Sequence, residues 1–240
     1  MRSRYAVFFD LDSTLLDNSA GREAVLHVCR QVSAMQQGLD PDRLRKTSGE
    51  VWSSYRAEMQ ESWVLGKTDS LAVSREAWRR SLELCGCSSR AVVEAAVQIH
   101  AQVTRENFRL YEDVAETLAA LKKANVRMAL ITNGPSDLQR SKLQILDIEH
   151  WFDAVVISGE IGRAKPAAAV FDRAVRQTGI RPADVWHVGD SLEADVAGAR
   201  AAGLTAVWLN RTGKTRNAED PEPHFEIETL AGLTNILQLA

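Results

Sequence analysis

Two carboxylates one residue apart, Asp10 and Asp12, follow the apolar, β-prone run Tyr5-Ala6-Val7-Phe8-Phe9. A buried strand that ends on an acid presents that acid at the C-terminal edge of a sheet, where open α/β folds bind ligands. Two acids this close repel each other unless a cation lies between them or one holds a proton. Asp and Ser also open ordinary turns, so the pair alone does not separate catalysis from a plain strand end. Three later segments do. Apolar runs stop at Thr132-Asn133-Gly134 and at Gly189-Asp190, the latter with Asp195 a little further on. A third run, Ala154 to Ile157, leads into a loop carrying Lys165-Pro166. If the strands are parallel, acids, a lysine, a hydroxyl and an amide converge on one crevice.

This set suits a phosphate ester. Near neutral pH a phosphate monoester is close to a dianion, and an approaching carboxylate meets like charge worth about 4 kcal/mol at ~4 Å and an effective dielectric near 20. A hard cation removes that obstacle, and Mg²⁺ prefers carboxylates, carbonyls and water. Asp10 and Asp190 are expected to hold it, with the backbone carbonyl of Asp12. Lys165 adds positive charge, and Thr132 with backbone N–H groups donates to phosphoryl oxygens.

The elements that must position these groups fall into two kinds. Ser19 to Gln37 is amphipathic, with Ala24, Val25, Val28, Val32 and Met35 near a helical period. Asp40-Pro41 opens a second helix that fades near Gly66, and Ser70–Leu84 and Ser88–Asn107 read as two more. From about Leu110 strands and helices alternate. Strands are expected at Val126–Ile131, Ala154–Ile157, Val185–Val188, Thr205–Leu209 and Phe225–Ile227. Helices are expected at Glu112–Ala124, Pro135–Leu146, Ala167–Thr178, Leu192–Ala202 and after Thr229. Alternation with short connections predicts a doubly wound parallel sheet with helices on both faces. Residues 1–16 and 110–240 are therefore expected to form the α/β core, and 17–109 an inserted all-helical cap.

With these segments in order, the chain resembles the haloacid dehalogenase superfamily of aspartate-nucleophile phosphotransferases. The motifs are Asp10-Leu11-Asp12-Ser13-Thr14, Thr132-Asn133-Gly134, Lys165-Pro166, and Gly189-Asp190-Ser191-Leu192-Glu193-Ala194-Asp195. They bracket nearly the whole chain. The last segment, continued through Val196-Ala197-Gly198, looks most like N-acylneuraminate-9-phosphatases and related nucleotide phosphatases. The resemblance implies a Rossmann-like core and roles for its residues. Asp10 would attack phosphorus and form an aspartyl-phosphate. Asp12 would protonate the leaving alcohol and then take a proton from water. Asp190 would bind Mg²⁺. Asp195 would support the metal or orient Lys165, and Asn133 could contact substrate or phosphate. Two departures stand out. Ser13 occupies a place where many relatives have Gly, and Ala167-Ala168 follows Lys165-Pro166 where relatives often have Asp-Pro.

Three rivals remain. A 2-haloacid dehalogenase shares the fold, but a halide leaving group needs no proton and dehalogenases lack the acid at Asp12. A phosphomutase would need a cap that holds a bisphosphorylated intermediate. A non-catalytic metabolite-binding protein fits poorly with Asp10, Asp12, Thr132, Lys165 and Asp190 all present.

Other features read as packing or solvated surface. Trp52, Trp63 and Trp78 are expected to pack within the cap, and His187 to be a hydrogen-bonded strand histidine. Arg22 and Arg56 are candidates for recognising an acidic substrate, with Arg163, near Lys165, the better candidate for the rim of the site. The net charge of −3 over 240 residues gives no nucleic-acid footprint. Met1-Arg2-Ser3-Arg4 runs into the first strand without the apolar region of a signal peptide, and no stretch is long enough to span a bilayer. Three cysteines suit a reducing cytoplasm, and Cys85-Gly86-Cys87 reads as a helix end. The expected partner is a small phosphate ester, with neither nucleic acid nor membrane. Monomer and homodimer stay open.

Overall fold

The computed structural model describes residues 5–238. In chain order the strands are β1 (Ala6–Phe9), β2 (Leu16–Asp17), β3 (Arg109–Leu110), β4 (Arg127–Thr132), β5 (Ala154–Ile157), β6 (Val185–Gly189), β7 (Thr205–Leu209) and β8 (Phe225–Ile227). The helices are α1 (Ser19–Met35), α2 (Pro41–Val64), α3 (Ser70–Leu84), α4 (Arg90–Glu106), α5 (Val114–Lys123), α6 (Ser136–Leu146), α7 (Ser158–Ile161), α8 (Ala168–Thr178), α9 (Gly198–Ala201) and α10 (Leu230–Ile236).

Six strands form one parallel sheet in the order β5-β4-β1-β6-β7-β8. Strand β1 is buried on both faces because all four of its residues are apolar. Val7 and Phe9 pack into one apolar layer with Leu118 of α5 and Leu230 of α10. Ala6 and Phe8 pack into the other with Val170, Phe171 and Ala199. Fully burying one Phe side chain is worth about 1.5–3 kcal/mol, so the central strand is rigidly seated. The chain leaves β1 toward β4 and β5, then crosses back to β6 on the other side. The C-terminal end of β1 is therefore a topological switch point, with β4 and β6 as its neighbours.

Helices α1–α4 form a separate layer with its own apolar clusters. Val28, Val32, Leu44, Trp78, Leu82 and Val97 make the larger, and Val51, Tyr55, Val73 and Ala77 the smaller. Asp40 caps α2 by accepting from the backbone N–H of Asp42 and Arg43, and Pro41 takes the first helical position. Met35 departs from expectation. It is 59 % exposed, because Leu39, beyond the turn at Gly38, joins the cluster instead. The two chain crossings between the layers pair as the antiparallel β2–β3, an element too short for periodicity to signal. Arg109 clamps that junction, with its guanidinium 3.1 Å from Asp17 and 3.1 Å from Glu23.

Two further elements differ from the sequence reading. The loop expected after β5 begins as the short helix α7. The segment expected as one helix from Leu192 opens with a wide π-helical turn, Leu192–Ala197, before α9. That turn closes on Ser191, whose carbonyl accepts from Asp195 N at 2.9 Å and from Val196 N at 3.1 Å. Such wide turns cluster at functional sites; this one carries Asp195 into the protein.

Candidate active site

Asp10 follows β1, Thr132 ends β4, Asp190 follows β6, and all lie at the same edge of the sheet. Lys165 reaches them from the loop between α7 and α8. Its Nζ lies 2.6 Å from Asp10 Oδ1 and 2.6 Å from Asp195 Oδ1, and all three side chains are buried. Asp195 is saturated. Its Oδ1 also meets His187 Nε2 at 2.9 Å, and its Oδ2 accepts from Ser191 N at 3.1 Å. This leaves no room for a side chain at Gly189, where a Cβ would overlap the Asp195 carboxylate.

The electrostatics follow from this crowding. Burial pushes Asp10 up to about 8, with Lys165 opposing and the carboxylates of Asp195, Asp190 and Asp12 adding to the rise. Burial and then Asp195 push Asp190 up to about 6. Burial would lower Lys165, but Asp10 and Asp195 outweigh it and hold its ammonium firmly charged. Burial would likewise raise Asp195, but Lys165 and His187 keep it ionised. His187 is held below its ordinary value, chiefly by burial.

Three carboxylates thus face one ammonium. Single oxygens of Asp10, Asp190 and Asp195 all lie within 4.8 Å of one another. The backbone carbonyl of Asp12 accepts no hydrogen bond among the described residues. An all-oxygen donor set with excess negative charge and an open carbonyl is what a hard divalent cation requires. Since Asp195 is already engaged by Lys165, His187 and Ser191, Asp10, Asp190 and that carbonyl are the freer donors.

Asp12 turns away from Lys165. Its Oδ1 lies 2.6 Å from Lys142 Nζ, and its Oδ2 accepts from Gln139 Nε2 at 2.9 Å. Gln139 Nε2 also donates to the Thr132 hydroxyl. Sequence reading passed over Gln139 and Lys142. Both are buried polar residues on α6, placed three apart and so on one helix face. That spacing just after Thr132-Asn133-Gly134 was the available signal. Asn133 lines the cavity beside Asp12 and also holds the loop of Lys165. Its Oδ1 accepts from Lys165 N at 2.9 Å and its Nδ2 donates to Lys165 O at 3.0 Å, so its side chain braces the backbone that carries the lysine.

A cavity of about 830 Å³ opens from Asp12 and Lys142 into the helical layer. Trp52, Trp63, Arg22 and Arg56 line it. Trp52 and Trp63 pack against the apolar clusters of this layer, as expected, and also line the cavity, whereas Trp78 is fully buried. Arg163 is exposed and takes no part in the lining.

A parallel sheet whose strand ends gather acids and a lysine at one edge is the frame of a hydrolase with an α/β core. A profile of the haloacid dehalogenase-like hydrolase family matches residues 6–203, and the chain belongs to that family. Among curated relatives, human N-acylneuraminate-9-phosphatase is 31 % identical over 97 % of this chain and 93 % of its own. Ribulose-1,5-bisphosphate 5-phosphatase from Halopiger xanaduensis is 31 % identical over 97 % of this chain and 98 % of its own. A crystal structure of 2-haloacid dehalogenase from Pseudomonas syringae superposes with a TM-score of 0.67 at 25 % identity, over 98 % of this chain and 99 % of that one. The chain is a phosphoric monoester hydrolase of the haloacid dehalogenase type. No helix among the described residues is long and apolar enough to cross a membrane.

Proposed function

We propose that the chain is a Mg²⁺-dependent phosphomonoesterase that hydrolyses a small phosphorylated metabolite through an aspartyl-phosphate on Asp10. One observation carries this reading: single oxygens of Asp10, Asp190 and Asp195 converge within 4.8 Å of one another at the sheet edge, with Lys165 against Asp10 and Asp195. Burial and that crowding raise the Asp10 carboxyl. Further positive charge would favour its ionised, nucleophilic form, and Asp10, Asp190 and the Asp12 carbonyl would hold a cation at that place. When bound, Mg²⁺ supplies charge neutralisation for the carboxylate and the incoming phosphate.

The remaining steps belong to the chain. Lys165 and backbone N–H groups at the strand ends orient phosphoryl oxygens, with the Thr132 hydroxyl nearby. Asp10 attacks phosphorus, and the ester oxygen leaves with a proton from Asp12. Water then attacks the aspartyl-phosphate while Asp12 accepts its proton. Lys142 and Gln139 hold the Asp12 carboxylate by both oxygens, fixing its direction between turnovers. Asp12 also argues against dehalogenation, since a halide departs without a proton. The three cysteines are all free, in keeping with a reducing, cytoplasmic setting.

The test is Asp10→Asn, nearly isosteric and without the nucleophile. Phosphate release from p-nitrophenyl phosphate with Mg²⁺ is expected to fall to background while the thermal transition stays cooperative. Near-normal turnover in the folded variant would refute the mechanism.

A further inference from the structure

The cavity between the helical layer and the sheet edge has an uneven charge. At its inner end Lys142 and Asp12 neutralise each other at 2.6 Å. Asp17, also in the wall, is neutralised by Arg109 at 3.1 Å. On the cap side stand Arg22 of α1 and Arg56 of α2, and neither makes a hydrogen bond or ion pair with any described residue. Arg45 reaches only the exposed Asp42, at 4.0 Å. The wall thus presents guanidinium groups without counter-ions.

Other polar groups of the wall add donors to these guanidinium groups. His100, in the same wall, accepts from Trp78 Nε1 at its Nδ1 (3.0 Å). That bond leaves the proton on Nε2, and burial holds the ring neutral by lowering its pKa to about 4. The indole N–H of Trp52 and the hydroxyl of Thr104, on two further lining residues, are buried without partners. The wall also includes the apolar surfaces of Trp63 and Met59. A volume of about 830 Å³ is far more than a phosphoryl group and a two- or three-carbon leaving group would fill. Cavities of about 300–1,000 Å³ are those that enclose sizeable organic ligands.

We propose that this cavity selects leaving groups of sugar size or larger that carry a second anionic group, a carboxylate or another phosphate, received by Arg22 and Arg56 in the cavity wall. The proposal rests on the phosphatase reading above and adds the substrate class. Guanidinium forks match carboxylate and phosphate oxygens in geometry as well as charge. A neutral sugar phosphate would leave both arginines unmatched.

The test uses the whole chain with Mg²⁺ and matched pairs that differ in the remote anion. 6-Phosphogluconate against glucose 6-phosphate probes a carboxylate. Fructose 1,6-bisphosphate against fructose 6-phosphate probes a phosphate. p-Nitrophenyl phosphate reports the chemistry alone. At least one pair is expected to favour the anionic member by about tenfold or more in kcat/KM, and the pair that does so identifies the anion. Arg22→Gln and Arg56→Gln should each bring that ratio most of the way back to one, chiefly through KM, and Arg56→Lys should restore part of it. Both positions are exposed, and thermal melts check that the variants fold. If the nitrophenyl ester is hydrolysed but every pair is treated equally or refused, or if the ratio survives both Gln variants, the anion site is wrong and the phosphatase reading stands. If nothing at all is hydrolysed, the phosphatase reading fails first.

Discussion

Metal-free protein is expected to lose stability as pH rises toward and beyond about 6, and Mg²⁺ to restore it. The cause is Asp190, whose carboxyl is pushed from 3.8 up to about 6 by burial and by Asp195. Below its unfolded value the group is protonated in both states and contributes no penalty. Between the two values only the folded chain keeps the proton, so rising pH favours unfolding. Above the folded value both forms are charged and the loss is complete. At about 1.4 kcal/mol per pH unit the loss is about 3 kcal/mol. For a chain of this length that corresponds to about 6–12 °C in Tm. Asp10, pushed the same way, deepens the loss toward pH 8. His100 and His187 act in the opposite sense. Both are held below their ordinary value, so the stability they give is present above about 6.5 and lost as pH falls. The raw profile therefore mixes signs, and the difference between profiles in chelator and in millimolar Mg²⁺ isolates the carboxylates. Thermal unfolding followed by circular dichroism between about pH 5 and 8 measures it. About half of the loss already lies below pH 5, so across this window the gain from Mg²⁺ should grow by about 3–6 °C toward the alkaline end. Asp190→Asn should remove most of that growth. A gain independent of pH, or one unchanged in Asp190→Asn, would refute the electrostatic account of the site.

Asp12→Asn should slow alkyl phosphates more than p-nitrophenyl phosphate in the first step, because a nitrophenolate leaves without a proton. Aspartyl-phosphate should then accumulate and be visible by mass spectrometry in acid; equal losses for both ester types would exclude Asp12 as the general acid. Asn133→Ala leaves an N–H and a C=O of Lys165 without partners, an expected loss of about 2 kcal/mol by urea unfolding together with a fall in kcat. Asn133→Ala with full stability and activity would mean the brace is idle. Gly189→Ala forces a methyl into the space of the Asp195 carboxylate, so it should cost at least about 1–3 kcal/mol and weaken turnover; a neutral result would show that β6 can shift.

Much of the fold was legible in the chain because its signals are local. Four apolar residues ending on Asp10 can only be a fully buried strand, and such a strand needs helices on both faces. The runs at Ala154–Ile157 and Thr205–Leu209 carry the same information, and they are β5 and β7. Asp40-Pro41 announces α2 because cap chemistry acts within one turn. Wide turns and two-residue strands carry no such period, and the π-helical turn at Leu192 and the β2–β3 pair escaped notice.

The sequence by itself determined that acids, a lysine and a hydroxyl stand near strand ends, since residue types and hydrophobic period are properties of the chain alone. Tertiary structure decided which of them meet. Asp12 is held by Gln139 and Lys142, 127 and 130 residues away, because α6, which follows β4, turns one face toward the loop after β1. Asn133 braces the backbone of Lys165, 32 residues on, because the loops after β4 and α7 meet at the sheet edge. Arg22 and Arg56 share a wall with Trp52 because α1 and α2 fold over that edge. Each of these encounters depends on how whole elements pack against one another, and packing geometry is set by contacts between distant residues that no local pattern encodes.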